Sequence, residues 1–490
     1  MERPASAGVE GPVLESVRLR NRAGMAAALA MAGAVLCCPF APPAMADTLE
    51  AALAYAYVNN PQINAQRALV RATDESVPTA LAGYRPRAVA TANVGVQALS
   101  TTIREIGSTT PPGGATLFSQ RGANMPHGVG ATVTQTLLNG FQTANRTRLA
   151  ESQVYAARET LRGIEATVLL NAATAYMNLL REAGVLELQR SNLDVLGEQL
   201  RQTRARLESG NVTATDVSQS EARLSVGRTQ LFAAEANYAS ARAVYRQVVG
   251  LDPGRLAPAS PVDRFTPRTL AAAMADGIAQ NAAVATAQHN VDIALHQVKV
   301  AEGALYPTLS AQGSVQQNYE TALNQLQSFT AAGVLQLSAP LYQGGAEYAA
   351  IRQAKETQGQ KQLELSVARD QARLGVQQAW AQLEAAKSSI ESTRNQVKAA
   401  EAALNGVREE ARLGQRTTLD VLNAQQELVN ARIAMVGAQR DRLVNSYALL
   451  AAVGRLAPQV LGLQVPSYDP QVHYHQVRDA WVGVRTPDGR

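Results

Sequence analysis

Residues 412–432, RLGQRTTLDVLNAQQELVNAR, set one carboxylate, Asp420, among Leu419, Val421 and Leu422, six residues after Gly414. Residues 206–228, RLESGNVTATDVSQSEARLSVGR, repeat the arrangement with Gly210 and Asp216. In each copy the glycine stops one helix, and a threonine three residues before the acid, Thr213 or Thr417, is placed to cap the next. Both stretches therefore read as tight turns of helical hairpins.

The hairpins belong to a duplication of most of the chain. TLEAALAYAYVNNP at Thr48 answers TLAAAMADGIAQNA at Thr269, at an offset of 221. LLNGF at Leu137 answers LYQGG at Leu341, and Gly210 and Asp216 answer Gly414 and Asp420, all at 204. A period of this length marks duplication of a whole structural unit; small stacked repeats have far shorter ones.

Between the repeated turns the periodicity is that of coiled coil. Leucines fall at 179, 186, 193, 200 and 207, and Val376, Leu383, Ile390, Val397 and Leu404 keep the same step of seven. Neither approach to the turns contains proline, so each copy is expected to hold a helix of roughly 65 residues, about 100 Å long. Aromatics at 4% of 490 residues agree with seams filled by small and straight-chain side chains.

Other segments alternate with a period of two. Ala88, Ala90, Ala92 and Val94 are set against Thr91 and Asn93, and Val129, Ala131 and Val133 against Thr132 and Thr134, with similar alternation in the second copy. Four such segments of about ten residues have the length of strands that cross a membrane as β-structure. TTIREIGSTTPPGGATLFSQRGANMPH, residues 101–127, reads as a long external loop. Four strands cannot close a barrel, and open edges cannot face lipid, so several chains must pool their strands.

The chain is thus divided into an export signal (1–46), two repeats and a tail. The first repeat (47–260) holds a helix, strands at 86–99 and 128–139, and a hairpin turning near 209–213. The second (261–457) holds a helix, strands at 307–319 and 331–342, and a hairpin turning near 413–417. Residues 458–490 form the tail. The signal is read from Arg18, Arg20 and Arg22, an apolar run over 23–38, and the Ala44-Met45-Ala46 cleavage site. Removing it takes the net charge from +5 to +4 and takes away both cysteines, Cys37 and Cys38. Disulfides, thiolate metal sites and cysteine nucleophiles are thereby excluded. The remaining charges alternate along helices, which argues against a nucleic-acid surface.

In its duplication, element order, GNVTATDVSQSEARL, GQRTTLDVLNAQQEL and the tail HYHQVRDAWVGVRTP, the chain resembles the TolC family of outer-membrane efflux and type I secretion channels. The resemblance implies a mainly α protein with membrane β-structure. A homotrimer would form a 12-stranded β-barrel continued by a periplasmic α-helical barrel, with the tail in an equatorial domain. It implies outer-membrane lipid around the barrel. It implies a periplasmic adaptor (membrane fusion) protein and an inner-membrane transporter of ABC, RND or MFS type as partners. The two turns become the closed periplasmic aperture: Asp420 matches a pore-lining acid and Arg416 the basic residue of the closing links. Thr215 and Asp216 match their partners on the other hairpin, and Gly210 and Gly414 the turns. A second acidic pore position falls on Asn423, and the tyrosine of one link on Ala411.

Enzyme, cofactor and metal signals are weak. No phosphate loop, HExxH or GxSxG motif occurs in a fitting context, and the pair His473 and His475 has no accompanying ligand cluster and reads as solvated. Two rivals to the channel reading are a periplasmic coiled-coil adaptor and a trimeric surface adhesin. An adaptor needs compact β-domains around its hairpin, and an adhesin carries its four strands consecutively, whereas these are split between the halves.

Overall fold

The computed structural model describes residues 48–105, 116–322, 325–487 and 489. The export signal and the centre of the external loop lie outside them. The first repeat opens with three short helices, α1 (Leu49–Asn59), α2 (Pro61–Asp74) and α3 (Ser76–Leu81). Strands β1 (Arg87–Val94), β2 (Gln97–Glu105), β3 (Thr116–Asn124) and β4 (His127–Asn139) follow, then helices α4 (Gln142–Glu208) and α5 (Ala214–Val249). The second repeat runs α6 (Leu270–Gln280), α7 (Ala282–Gly303), β5 (Thr308–Ala322), β6 (Gln325–Ser338), α8 (Ala346–Arg412) and α9 (Thr418–Ala452). The tail carries α10 (Pro458–Leu461) and α11 (Pro470–Val477).

The long helices α4 and α8 have 67 residues each, about 100 Å at 1.5 Å per residue. Their heptad positions turn inward as the spacing requires: Leu179, Leu186, Leu200, Val376, Leu383 and Leu404 are buried, while Leu207 emerges at the tip. α4 packs along α5 and α7, α8 along α7 and α9, and α9 lies against α4. Where α1, α2, α4, α5 and α9 meet, Leu53, Ile63, Leu169, Tyr176, Tyr245 and Tyr447 form the largest apolar core. Among the described residues no helix is long and apolar enough to cross a membrane.

The duplication persists at the level of single hydrogen bonds. Thr48 caps α1 through Ala51 and Thr269 caps α6 through Ala272, each at 3.2 Å. Asn60 caps α2 and reaches the Val248 carbonyl at 3.0 Å; its counterpart Asn281 caps α7 and reaches the Ala452 carbonyl at 3.1 Å. The glycines that end α5 and α9 are less alike. Gly250 (φ 93°) has room, since a Cβ there would come no closer than 3.4 Å to Tyr55, but a Cβ on Gly454 (φ 82°) would sit 2.3 Å from the Gln280 carbonyl oxygen. Gly250→Ala should therefore cost only the left-handed conformation, about 1 kcal/mol, whereas Gly454→Ala also collides with backbone and should cost more than about 2 kcal/mol. Thermal unfolding followed by helical circular dichroism checks the difference.

The sheet has order β1-β4-β5-β6, antiparallel throughout. Its registers separate the two faces. Ala131 lies between Ala90 and Val315, which faces Ala331; Thr132 lies between Val89 and Ser314, and Gln316 faces Thr330. One face is mainly alanine, valine, leucine and glycine, with Tyr319, Phe329 and a few polar residues such as Gln135 and Gln317, and the other mostly threonine, serine, glutamine and asparagine, the pattern of a wall between lipid and a wet lumen.

Two strand expectations need correction. The segment expected as one strand at 86–99 breaks after Val94, where the Gly95 N–H bonds the Pro126 carbonyl at 2.9 Å. Beyond the break β2 and β3 pair as a separate two-stranded sheet, so much of the expected loop is strand. Its Gly/Pro/Ser/Thr content disguised the β-formers of TTIRE and TLFSQ, because only its middle carries turn chemistry. β6 begins six residues before the expected 331–342 and ends at Ser338. Its first residues are polar as well as paired, and Pro340, which has no N–H, stops the ladder.

Candidate gating site at the hairpin tips

Both turns close by the same chain of local bonds. After α4, the Gly210 N–H bonds the Leu207 carbonyl and the Asn211 N–H the Arg206 carbonyl, both at 2.9 Å. After α8, Gly414 bonds Ala411 at 3.2 Å and Gln415 bonds Glu410 at 2.9 Å. With φ of 75° and 79°, the two glycines make the left-handed reversal of a Schellman motif. A capping box then starts each return helix. The Thr213 N–H donates to Asp216 Oδ2 at 2.9 Å and the Asp216 N–H to Thr213 Oγ1 at 3.3 Å; the corresponding bonds of Thr417 and Asp420 are 3.0 and 3.2 Å.

The caps fix the charge state of both acids. Bonds from the threonine backbone N–H, and then from its hydroxyl, hold Asp216 and Asp420 below the usual carboxylate range. A depressed carboxylate contributes stability that is present above its unfolded value of 3.8 and is lost as the pH falls through the lower folded value. Both turns therefore stay ionised and capped above about pH 4. Mutual repulsion among copies of Asp420 would raise its pKa, and within each chain the cap opposes that rise.

Within one chain the expected latch residues do not meet one another. Arg416 bonds Glu410 of its own hairpin at 2.9 Å, and Thr215 is exposed. Within one chain, Arg416 is joined to neither Thr215 nor Asp216. Ala411, at the tyrosine position, packs in an apolar cluster with Leu404 and Val421.

Instead, Arg223 on α5 donates from Nη2 to Asn423 Oδ1 on α9 at 2.7 Å. This bond ties the first hairpin to the second one turn above Asp420. Behind it, Arg408 donates to Gln425 Oε1 at 3.1 Å, and Gln425 reaches buried Asn192 on α4 at 3.5 Å. Farther along, Arg440 donates to Asn178 at 2.8 Å. The ion pairs Arg204–Glu221 and Arg432–Glu401 stay within single hairpins. Movement of the hairpins as rigid bodies would break the bonds of Arg223 to Asn423, Gln425 to Asn192 and Arg440 to Asn178, and spare Arg408–Gln425 and the two ion pairs. Sequence reasoning missed Arg223 because its partner lies 200 positions away and nothing in either local pattern marks it.

The tail histidine is a further correction. His473 is buried, with Nδ1 3.0 Å from Oδ2 of Asp74, which is itself fully buried at the end of α2. Burial pushes the Asp74 carboxyl up, opposed by the His473 bond and the charge of Arg158, 3.9 Å away. The pair clamps α11 onto α2. His473→Ala should leave the buried carboxyl without that bond and cost about 2 kcal/mol of tail docking; faster trypsin cleavage of the tail, with the long helices intact, is the expected readout.

The chain as a whole is similar to known proteins. A family model described as Outer membrane efflux protein matches residues 52–251 and 275–455. The chain is 41% identical over 467 residues to the outer membrane efflux protein BepC of Brucella suis biovar 1 (strain 1330), covering 95% of this chain and 97% of that one. It is 28% identical over 311 residues to the outer membrane protein TolC of Escherichia coli (strain K12), covering 60% of this chain and 63% of that one. The solved Campylobacter jejuni CmeC outer membrane channel shares the fold, with a TM-score of 0.69 at 14% identity over 88% of this chain and 89% of that one.

Proposed function

The chain belongs to the outer membrane efflux protein family, and from that premise we propose a trimeric exit duct whose periplasmic end is closed by the two hairpin tips. It resides in the outer membrane, extends into the periplasm, and serves as an efflux or secretion channel. Three four-stranded sheets close a barrel of twelve strands, and the long helices continue it as a tube. The observation that supports this reading is the sheet itself, with one mainly apolar face, one mainly polar face, and β1 and β6 left as open edges among the described residues, edges that lipid cannot satisfy. A periplasmic adaptor and an inner-membrane transporter of ABC, RND or MFS type load the tube. The extent of the likeness to an efflux protein supports small molecules as cargo.

The tips form the gate. Asp420 rings the aperture, Arg223 and Asn423 hold the second hairpin on the first, and Arg416 with Thr215 and Asp216 meets the neighbouring chain. Deleting the gene should sensitise cells to small toxic compounds, with the protein recovered from outer membranes as a trimer beginning at Asp47. A soluble periplasmic monomer, or a deletion that abolishes adhesion while export stays normal, contradicts the proposal.

A further inference from the structure

Each chain reversal at the helical end of the sheet carries an exposed aromatic. Tyr84 precedes β1, Phe141 follows β4, Tyr306 precedes β5 and Tyr342 follows β6, with exposures of 53, 78, 56 and 79%. The registers Asn139 to Thr308 and Thr308 to Ser338 bring Phe141, Tyr306 and Tyr342 to nearly one line, and Arg87 to Thr134 sets Tyr84 about four residues farther up the sheet. At the other end of the sheet's apolar face, Tyr319 and Phe329 lie thirteen residues from Tyr306 and Tyr342, roughly 43 Å along the strands at 3.3 Å per residue. With strands tilted by about 40°, that separation is roughly 33 Å, so the two aromatic levels bracket an outer-membrane apolar band of about 25 Å.

Phe141 holds its place against local cost. It adopts φ 60°, and its counterpart in the second copy is Gly345 at 87°, after Gly344 at 71°. The turn thus demands two left-handed residues, and a phenylalanine in that conformation costs about 1 to 2 kcal/mol. Within the chain its ring is largely open to the surroundings, so intrachain packing offsets little of that cost.

The C-terminal segment reaches the same level. Past α11 the Ala480 carbonyl accepts a bond from Arg85 Nη1 at 2.6 Å, and the Arg85 guanidinium stacks over the Trp481 ring at 4.7 Å. Arg85 lies two residues before β1, so the contact brings Trp481 to the foot of the sheet, where it is 67% exposed and followed by the fully open Val482 and Val484. Tyrosine and tryptophan, apolar in body and polar at the tip, favour the headgroup level of a bilayer, and an arginine beside them suits lipid phosphate.

We propose that residues 480–484 are an interfacial anchor: Trp481, held by Arg85, lies among the headgroups of the periplasmic leaflet of the outer membrane, continuing the collar of Tyr84, Phe141, Tyr306 and Tyr342. The collar and the tail thereby fix the depth at which the barrel meets the helical tube. This role is separate from the gate.

The chain has two tryptophans, and the other, Trp380, packs on α8 against the Val376 cluster. Trp380→Phe therefore leaves Trp481 as the sole tryptophan reporter in the full-length trimer. The protein is reconstituted in phosphatidylethanolamine and phosphatidylglycerol vesicles that carry lipids brominated either near the headgroup or near the chain ends. Trp481 emission should be quenched by the shallow bromines and much less by the deep ones. Arg85→Ala in the same background should lose the shallow quenching and gain quenching by acrylamide. Emission in the Arg85-containing protein that responds to acrylamide and to neither lipid would put the tail in water. Emission that responds to none of the three would put it under a second copy. Either result overturns the proposal.

Discussion

Arg223→Ala channels conduct far more at rest than the parent in planar bilayers. The substitution removes the bond from the Arg223 guanidinium to Asn423, which joins the hairpins of one chain near their tips. The bond is partly exposed, so about 1 kcal/mol per chain is a fair value. If three chains move together, the closed state loses about 3 kcal/mol, roughly a hundredfold change in the closed-to-open ratio. Arg416→Ser should act in the same direction through the contacts between chains, and the double variant should exceed either. Arg204→Ala is the control: its partner Glu221 lies in the same hairpin, so the resting current should stay where it was.

Asp420→Ala loses most of the preference for cations. A carboxylate ring at a narrow, low-dielectric mouth concentrates cations and repels anions, so reversal potentials in a salt gradient should move toward the non-selective value and block by multivalent cations should weaken. Because the Thr417 cap holds Asp420 below the usual carboxylate range, the parent's preference should persist down to about pH 4 and fade below it. Asn423→Asp has a less obvious outcome. By position it would add a second acidic ring, but Arg223 already contacts that side chain and would pair with the new carboxylate. Asn423→Asp should accordingly lower the resting current and add little selectivity, and the second ring should emerge only when Arg223→Ala accompanies it.

Much of this architecture is written locally. Gly210 with Asp216 and Gly414 with Asp420 specify their turns within about ten residues each, through left-handed glycines and reciprocal caps. The heptads of α4 and α8 specify the tube walls in the same way. The strands were legible where small apolar and hydroxyl residues alternate, and obscured in β2 and β3, where turn residues surround the strand formers. Contacts between distant residues were not legible. His473 meets Asp74 across 399 positions and Arg223 meets Asn423 across 200, and neither member of either pair has a neighbour that announces its partner. The departure at Ala411 was legible in the sequence, and there the side chain packs in an apolar cluster; the bond from Arg223 to Asn423 between the hairpins was not.

The gate is tested most directly by fastening it. With the export signal removed the chain has no cysteine, so Arg223→Cys with Asn423→Cys allows a short bis-maleimide to join the first hairpin to the second at the site of their bond. The cross-linked trimer should remain assembled in the outer membrane, stop exporting, and show only closed-state current in bilayers, while each single cysteine treated alike shows no such block. Undiminished export and conductance in fully cross-linked trimers would mean that the two hairpins do not separate when the channel opens, and the gate would have to lie elsewhere.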